Sequence, residues 1–116
     1  TILLERGGTM TFAMGTPLLD GCVLAILDQE DTYGYALTQR VKGVLDISES
    51  TLYPVLRRLQ KEGCLTVYDQ PYQGRNRRYY AITHAGKRRL AEARREWQMF
   101  RDSVESLLLK EETSDD

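Results

Sequence analysis

The chain has 116 residues and a formal net charge of −1, with 41% hydrophobic and 28% charged residues, which is ordinary for one small soluble domain. No apolar run approaches the ~20 residues that span a bilayer, and Thr1 to Leu4 is too short an apolar run for a signal peptide. Two cysteines and one histidine exclude a disulfide framework, a four-cysteine zinc site and histidine-rich metal chemistry. We therefore expect a cytoplasmic protein.

The sequence contains no pattern typical of an active site. A P-loop, a GxGxxG motif and metal-ligand spacing are all absent. The nucleophile–base pair to consider is Cys64 with His84, but Cys64 follows a helix cap where a small apolar residue is wanted. We expect no enzyme activity, no cofactor and no metal, and we expect the thiols of Cys22 and Cys64 to be buried and inert.

Positive charge is concentrated in one segment of the chain. Residues 57–89 hold nine basic and two acidic residues, a net charge of +7, whereas the remaining residues carry −8. Arginines outnumber lysines seven to two in this segment, and guanidinium groups match the geometry of phosphate oxygens. Such a segment favours a surface that binds nucleic acid, and the alternative is a solvated helix face.

The sequence of the N-terminal half predicts a flexible segment over residues 1–15, followed by two helices. Thr16 as N-cap and Pro17 begin the first helix. Its apolar stripe consists of Leu18, Leu19, Cys22, Val23, Ile26 and Leu27. A polar connection over residues 29–32 leads to a second helix over about 33–45.

A third helix and a hairpin follow. Ser48 is the expected N-cap of a helix that runs to Glu62, with Gly63 as its C-terminal signal. Pro54 is expected to bend this helix or to delay its start. Residues 65–69 and 77–82 are predicted strands, and the basic, glycine-containing loop between them spans residues 70–76.

Thr83 is expected to cap a long fourth helix over residues 84–109, before an acidic tail at 110–116. The element order predicts a mainly α fold with a small β-hairpin (α+β). It is a winged helix-turn-helix domain at residues 16–83, followed by one C-terminal dimerisation helix. In a helix-turn-helix, the second helix enters the DNA major groove.

The fourth helix carries an apolar seam with heptad spacing. The seam consists of Leu90, Ala93, Trp97, Phe100, Val104 and Leu107. We expect this seam to pair with the same helix of a second chain, and the alternative is that it folds back on its own domain. Trp97 and Phe100 are candidate contacts for a planar aromatic effector, although both could simply pack in a core.

The sequence resembles the PadR-like bacterial transcriptional regulators. The resemblance lies in Tyr33 to Leu37, in the run Ser50-Thr51-Leu52-Tyr53-Pro54 with the following Val55 to Leu59, in Lys61-Glu62-Gly63, and in Arg77 to Thr83 with Gly86. It implies a homodimeric winged-helix repressor of a neighbouring transporter, stress or detoxification gene and of its own gene. It also implies release by an aromatic or hydrophobic effector, which a central tryptophan binds at the dimer interface in one branch of the family. This chain lacks the longer C-terminal region of other branches.

The residue patterns and the resemblance together identify the candidate partners as duplex DNA with an inverted-repeat operator, a second copy of the chain and a small effector. The candidate DNA-contacting residues are Tyr35, Ser50, Thr51, Tyr53, Arg57, Arg58, Lys61, Gly74, Arg75, Arg77 and Arg78. A rival hypothesis is a winged-helix interaction module whose basic face docks on an acidic protein. Affinity for duplex DNA distinguishes the two.

Overall fold

The computed structural model describes residues 15–110, so the expectations for residues 1–14 and 111–116 lie outside the described residues. The elements in chain order are α1 (Thr16–Gln29), β1 (Thr32–Tyr33), α2 (Gly34–Lys42), α3 (Glu49–Lys61), β2 (Leu65–Tyr72), β3 (Arg75–Ile82) and α4 (His84–Leu108). The strands form one antiparallel sheet in the order β1-β3-β2. This arrangement confirms the expected winged helix-turn-helix fold with a long C-terminal helix, in which α2 and α3 are the helical pair and β2–β3 is the wing.

The core lies where the apolar faces of α1, α2 and α3 meet the base of the sheet. Its fully buried side chains include Val23, Leu24, Leu37, Leu52, Leu56, Leu59 and Leu65. Burying one such side chain contributes roughly 1.5–3 kcal/mol, so this cluster holds the three helices together. The helical periodicity of the sequence therefore locates the buried face of α3 and part of that of α1, where it missed Leu24 and Asp20.

The two ends of α3 have the predicted local signals. At the N-terminus, Ser48 is the N-cap, and its hydroxyl accepts a hydrogen bond of 3.3 Å from the backbone N–H of Thr51. At the C-terminus, Gly63 has a φ of +82°, and the N–H of Cys64 donates to the carbonyl of Leu59, as in a Schellman motif. The helix begins at Glu49, so Pro54 does not delay its start as expected.

The wing is longer and its turn is tighter than predicted. Instead of a loop over residues 70–76, β2 continues to Tyr72 and β3 begins at Arg75. The two connecting residues, Gln73 (φ 50°) and Gly74 (φ 80°), both have positive φ, the combination that a tight type I′ hairpin turn requires. Pro71 suggested a loop, but a proline is tolerated in β2 because β2 is an edge strand.

A short strand replaces part of the predicted polar connection. In β1, Thr32 pairs with Tyr80 and Tyr33 pairs with Tyr79, which makes β3 the middle strand of three. Two residues are too few to show an alternating pattern, so the sequence carries no signal for this strand. As a consequence, α2 begins at Gly34. The helix ends at Lys42, several residues before the predicted end.

The helix α4 begins as predicted, because the hydroxyl of Thr83 accepts a hydrogen bond of 3.0 Å from the N–H of Gly86. Its first half packs against α1 in the same chain. Leu90 is 3% exposed and Ala93 is 6% exposed, and Gly21 of α1 lies directly against Ala93. Because α1 already buries this part of the apolar stripe, the packing counts against the assignment of Leu90 and Ala93 to a dimer seam.

Candidate nucleic-acid interface

The face of α3 opposite the core is polar and basic. Ser50, Arg57 and Lys61 are exposed and lie on this face, whereas Leu52, Leu56 and Leu59 of the same helix are buried. In residues 15–110, neither Arg57 nor Lys61 forms a salt bridge. Both side chains are therefore available to an external anion.

The N-terminus of α3 presents a group of hydroxyls. The Ser48 hydroxyl lies 2.9 Å from that of Ser50 and 3.2 Å from that of Thr51, and these contacts are at the surface. The helix dipole favours negative charge at this end, and hydroxyls bond readily to phosphate oxygens. This end of α3 is therefore suited to contact a nucleic-acid backbone, with Glu49 as a local source of repulsion.

The ring of Tyr53 is half-buried and packs against the core, so only part of this predicted contact residue faces outward. It lies beside Tyr80 of β3. Burial raises the pKa of the Tyr80 hydroxyl, and the charges of Arg78 and Arg57 nearby partly offset this increase. The rings of Tyr53 in α3 and Tyr80 in the wing both approach Gly34, where a Cβ would lie 3.9 and 3.4 Å from them, so the two predicted DNA-contacting elements come together at this point.

Strand alternation divides the arginines of the wing between its two faces. Arg78 shares the face of Tyr80, which packs against the core, whereas Arg75 and Arg77 lie on the opposite face. Arg78 has a long, exposed contact of 3.8 Å with Asp69, which contributes little energy. Arg75 is exposed and has no salt bridge within residues 15–110.

The face of Arg75 and Arg77 borders a cleft between the wing and the start of α2. The cleft has a volume of about 730 Å³, and its lining is aromatic and cationic: Tyr33, Tyr35, Tyr72, Gln73, Arg75, Asn76 and Arg77. Tyr35, at the first turn of α2, is 62% exposed. Sequence reasoning did not identify Tyr33 and Tyr72 as part of this surface, because β1 is too short to show a pattern and the tyrosines of β2 and β3 do not alternate regularly with polar residues.

The guanidinium of Arg58 is engaged by a buried carboxylate of α1. Its guanidinium donates hydrogen bonds of 2.6 and 3.1 Å to the carboxylate of Asp20, whose side chain is only 3% exposed. These bonds raise the pKa of Arg58. Its pairing with Asp20, an acidic residue inside the apolar stripe of α1, counts against the prediction of Arg58 as a DNA contact.

The second half of α4 exposes the rest of its apolar stripe. Trp97 is 41% exposed, Phe100 59% and Leu107 80%, and Val104 is partly buried. The rings of Trp97 and Phe100 have centroids 6.3 Å apart. They line a cavity of about 200 Å³ with Gly15, Pro17, Leu18, Ala93 and Glu96. The two candidate effector contacts therefore share one apolar cavity with a carboxylate at its edge.

Both cysteines lie away from the surface. Cys64 is buried, and Cys22 is half-buried, with the pKa of its thiol raised by burial. A higher thiol pKa means less of the reactive thiolate. Within residues 15–110, His, Cys, Asp and Glu side chains form no group of three or more that could hold a metal ion, and no helix is long and apolar enough to cross a membrane.

Comparisons with known proteins identify the family. The chain matches the transcriptional regulator PadR-like family over residues 23–92. Its structure is similar to that of smu.1704 from Streptococcus mutans, with a TM-score of 0.79 and 35% identity over 91% of this chain and 100% of that chain. For the PadR-like transcriptional regulator BC4206 from Bacillus cereus, the TM-score is 0.71 and the identity 37%, over 82% of this chain and 94% of that one. Transcriptional regulator Rv3488 of Mycobacterium tuberculosis is 39% identical over 66 residues, which are 56% of this chain and 62% of that protein.

The family match covers most of the helical part, the wing and the first part of α4, so it includes the whole candidate interface. Members of this family are transcriptional regulators that bind DNA and are not enzymes, which confirms the expectation of no catalytic activity. By its sequence over residues 23–92 and by its fold, the chain belongs to the PadR-like family of transcriptional regulators.

Proposed function

We propose that the chain is a homodimeric, sequence-specific repressor that binds an inverted-repeat operator in duplex DNA. The observation that carries this proposal is the exposed basic face of α3 in a winged helix-turn-helix fold, where Arg57 and Lys61 form no salt bridge within residues 15–110. An α3 lying in the major groove would bring its free arginine to the base edges, and guanidinium groups recognise guanine there. The wing beside it would reach the phosphate backbone.

The proposed contacts fall into two groups. On the α3 side they are Ser50, Thr51, Tyr53, Arg57, Lys61 and Arg78, and at the wing cleft they are Tyr35, Gly74 and Arg75, with Arg77 beside them. The first group supports base reading by α3 and phosphate positioning by α3 and the wing, and the second supports backbone contact alongside them. Arg58 is excluded because Asp20 occupies its guanidinium.

Dimerisation is proposed through the exposed half of the α4 stripe. Phe100 and Leu107 leave most of their side-chain surface open to water, and a symmetric pairing of two α4 helices would bury both copies. A two-fold dimer would also carry two α3 helices. These could read the two half-sites of a palindromic operator, which lie about 34 Å apart.

Effector release is proposed through the cavity of Trp97 and Phe100. Its volume of about 200 Å³ is below the ~300–1,000 Å³ of sites for drug-sized ligands. Two such cavities brought together across a dimer axis would make a larger apolar site for a planar aromatic or hydrophobic compound. The genes proposed to be controlled, in the bacterial cytoplasm, are a neighbouring transporter, stress or detoxification gene and the regulator's own gene.

The test begins with selection of bound sequences from random duplex DNA, followed by titration of the selected site at several salt concentrations. We expect an enriched inverted repeat and a dissociation constant of about 10⁻⁸ M or tighter. If Arg57 lies against a phosphate, Arg57→Ala should weaken binding and lower the salt slope by about two units per dimer, because each subunit then neutralises one phosphate fewer. If it reads a base instead, affinity should fall mainly for the selected site.

Arg95→Ala is the matched control, because it removes the same charge from an exposed position of α4 outside the candidate interface. The affinity of the Arg95→Ala variant for the selected DNA site, and the salt slope of that binding, should equal those of the unmodified protein. Absence of enrichment, with only ~10⁻⁴–10⁻⁶ M binding to any duplex, would contradict the proposal and favour the docking of an acidic protein on the basic face.

A further inference from the structure

The outer part of the wing extends beyond the core. The strand β1 pairs only with Tyr79 and Tyr80, so from Asp69 and Arg78 to the turn the wing is a two-stranded hairpin. The side chains on its core-facing side in this part, Asp69, Pro71, Asn76 and Arg78, are all exposed. A two-stranded hairpin is marginally stable in water by itself, so other contacts must hold this part in place.

One side chain on the other face supplies such contacts. The guanidinium carbon of Arg77 lies 3.5 Å from the ring centroid of Tyr72 and 3.8 Å from that of Tyr33. Arg77 is on the middle strand, and its two tyrosines are on the strands to either side, each diagonal to it in the register. Stacking of a guanidinium on tyrosine faces is attractive through the ring quadrupole.

The Tyr33–Arg77–Tyr72 stack connects two parts of the molecule that must act together. Tyr72 adjoins the turn of the wing, and Tyr33 immediately precedes α2. Tyr33 is itself anchored, because its ring packs edge-on against Tyr79 with centroids 5.8 Å apart. Tyr79 stacks on Tyr68, whose hydroxyl donates a hydrogen bond of 2.7 Å to Asp31. The stack therefore ties the wing to the helix-turn-helix.

We propose that Arg77 is a positioning residue, which holds the wing at the angle where Arg75 and Arg78 meet the DNA backbone, and does not itself contact a phosphate. The inference rests on the proposed DNA-binding function. Arg77 is half-buried between its two tyrosines, whereas Arg75 is exposed and without a salt bridge in the described part of the chain. Without the stack, the wing would also sample other angles. The apparent affinity for DNA would then be the intrinsic affinity multiplied by the fraction of time that the wing spends at the binding-competent angle.

The experiment compares Arg77→Ala and Tyr72→Leu with their double variant. Tyr72→Phe is the conservative control, because it keeps the ring, and Arg75→Ala removes an exposed wing arginine. In the protein without DNA, amide exchange in residues 73–75 is measured. We expect Arg77→Ala and Tyr72→Leu to speed this exchange roughly 5- to 30-fold, while Tyr72→Phe and Arg75→Ala leave it unchanged.

On the selected operator, Tyr72→Leu should weaken binding by a similar factor at an unchanged salt slope, because it removes no charge. The double variant should bind only slightly more weakly than either single variant, and Tyr72→Phe should bind normally. Arg75→Ala should lower the slope by about two units per dimer.

Two results would overturn the inference. One is a salt slope for Arg77→Ala as low as that for Arg75→Ala, together with normal binding by Tyr72→Leu, since Arg77 would then be a direct phosphate contact. The other is unchanged wing exchange in both variants. Failure of the unmodified protein to bind specific DNA would instead count against the proposed function, and the exchange measurement would still decide on the stack.

Discussion

The carboxylate of Asp20 in α1 accepts two hydrogen bonds, of 2.6 and 3.1 Å, from the guanidinium of Arg58 in α3. Only 3% of the Asp20 side chain is exposed, so the carboxylate depends on these partners in place of water. Arg89 of α4 lies 3.4 Å from the same carboxylate and 3.0 Å from Glu62 of the α3 C-cap. One buried charge therefore joins α1 to both α3 and α4.

Replacing this carboxylate should destabilise the protein. Asp20→Asn keeps the size of the side chain but removes the charge that Arg58 and Arg89 require, so we expect a decrease of roughly 1–3 kcal/mol in the free energy of unfolding. Unfolding in urea, monitored by circular dichroism, measures this free energy. Asp102→Asn, at an exposed ion pair with Arg101, should change stability by less than about 1 kcal/mol. Equal effects of the two variants would contradict the role of the buried pair.

Arg57 and Arg58 are neighbours in sequence with opposite expected roles. Arg57→Ala should leave the urea midpoint unchanged and weaken DNA binding, because Arg57 is exposed and has no salt bridge within residues 15–110. Arg58→Ala should lower the midpoint, because the longer contact to Arg89 is then the remaining salt bridge of Asp20 within residues 15–110. Parallel measurement of stability and affinity checks both. A stable Arg58→Ala protein with weak DNA binding would restore Arg58 to the interface.

The packing of α4 on α1 depends on the absence of a side chain at Gly21. A Cβ at this position would lie 2.5 Å from the Cβ of Ala93, well inside van der Waals contact. Gly21→Ala should therefore cost about 1–3 kcal/mol of stability by forcing the helices apart. The double variant with Ala93→Gly restores the space and should recover part of that stability. Thermal unfolding measures both, and an absence of recovery would place the strain elsewhere.

The exposed stripe of α4 should control oligomeric state. Phe100→Glu and Leu107→Glu introduce charge at the proposed dimer contact and should each weaken self-association by about 2 kcal/mol or more, roughly thirtyfold. Gln98→Glu puts the same charge on the opposite face of the helix and should have little effect. Sedimentation equilibrium measures the association constant. A monomeric unmodified protein, or equal effects of all three variants, would contradict pairing through this stripe.

Trp97 reports on effector binding, since it is the single tryptophan of the chain. We expect planar cationic or phenolic compounds to quench its fluorescence on titration. Glu96 lines the same cavity, so Glu96→Gln should weaken the binding of cationic compounds and leave that of phenolic ones unaffected. Quenching should be accompanied by release of the operator. If a broad panel produces no quenching, repression that does not depend on such a ligand becomes the better interpretation.

The sequence alone determined the features that depend on neighbouring residues. Helical periodicity located the buried face of α3, and the hydroxyls of Ser48 and Thr83 marked two helix starts, whereas Gly15 and not the predicted Thr16 is the N-cap of α1. These signals are local because a helix cap and an apolar stripe involve residues within a few positions of one another. The concentration of arginines between residues 57 and 89 likewise needed only composition.

Tertiary structure decided which groups remain available. Asp20 and Arg58 are 38 positions apart, so no local pattern distinguishes Arg58 from its exposed neighbour Arg57. The stripe of α4 is continuous in sequence, but α1 covers Ala93 and leaves Phe100 open. A charged or apolar side chain is free for a partner only if no distant element of its own chain already satisfies it, and that depends on the packing of elements far apart in sequence.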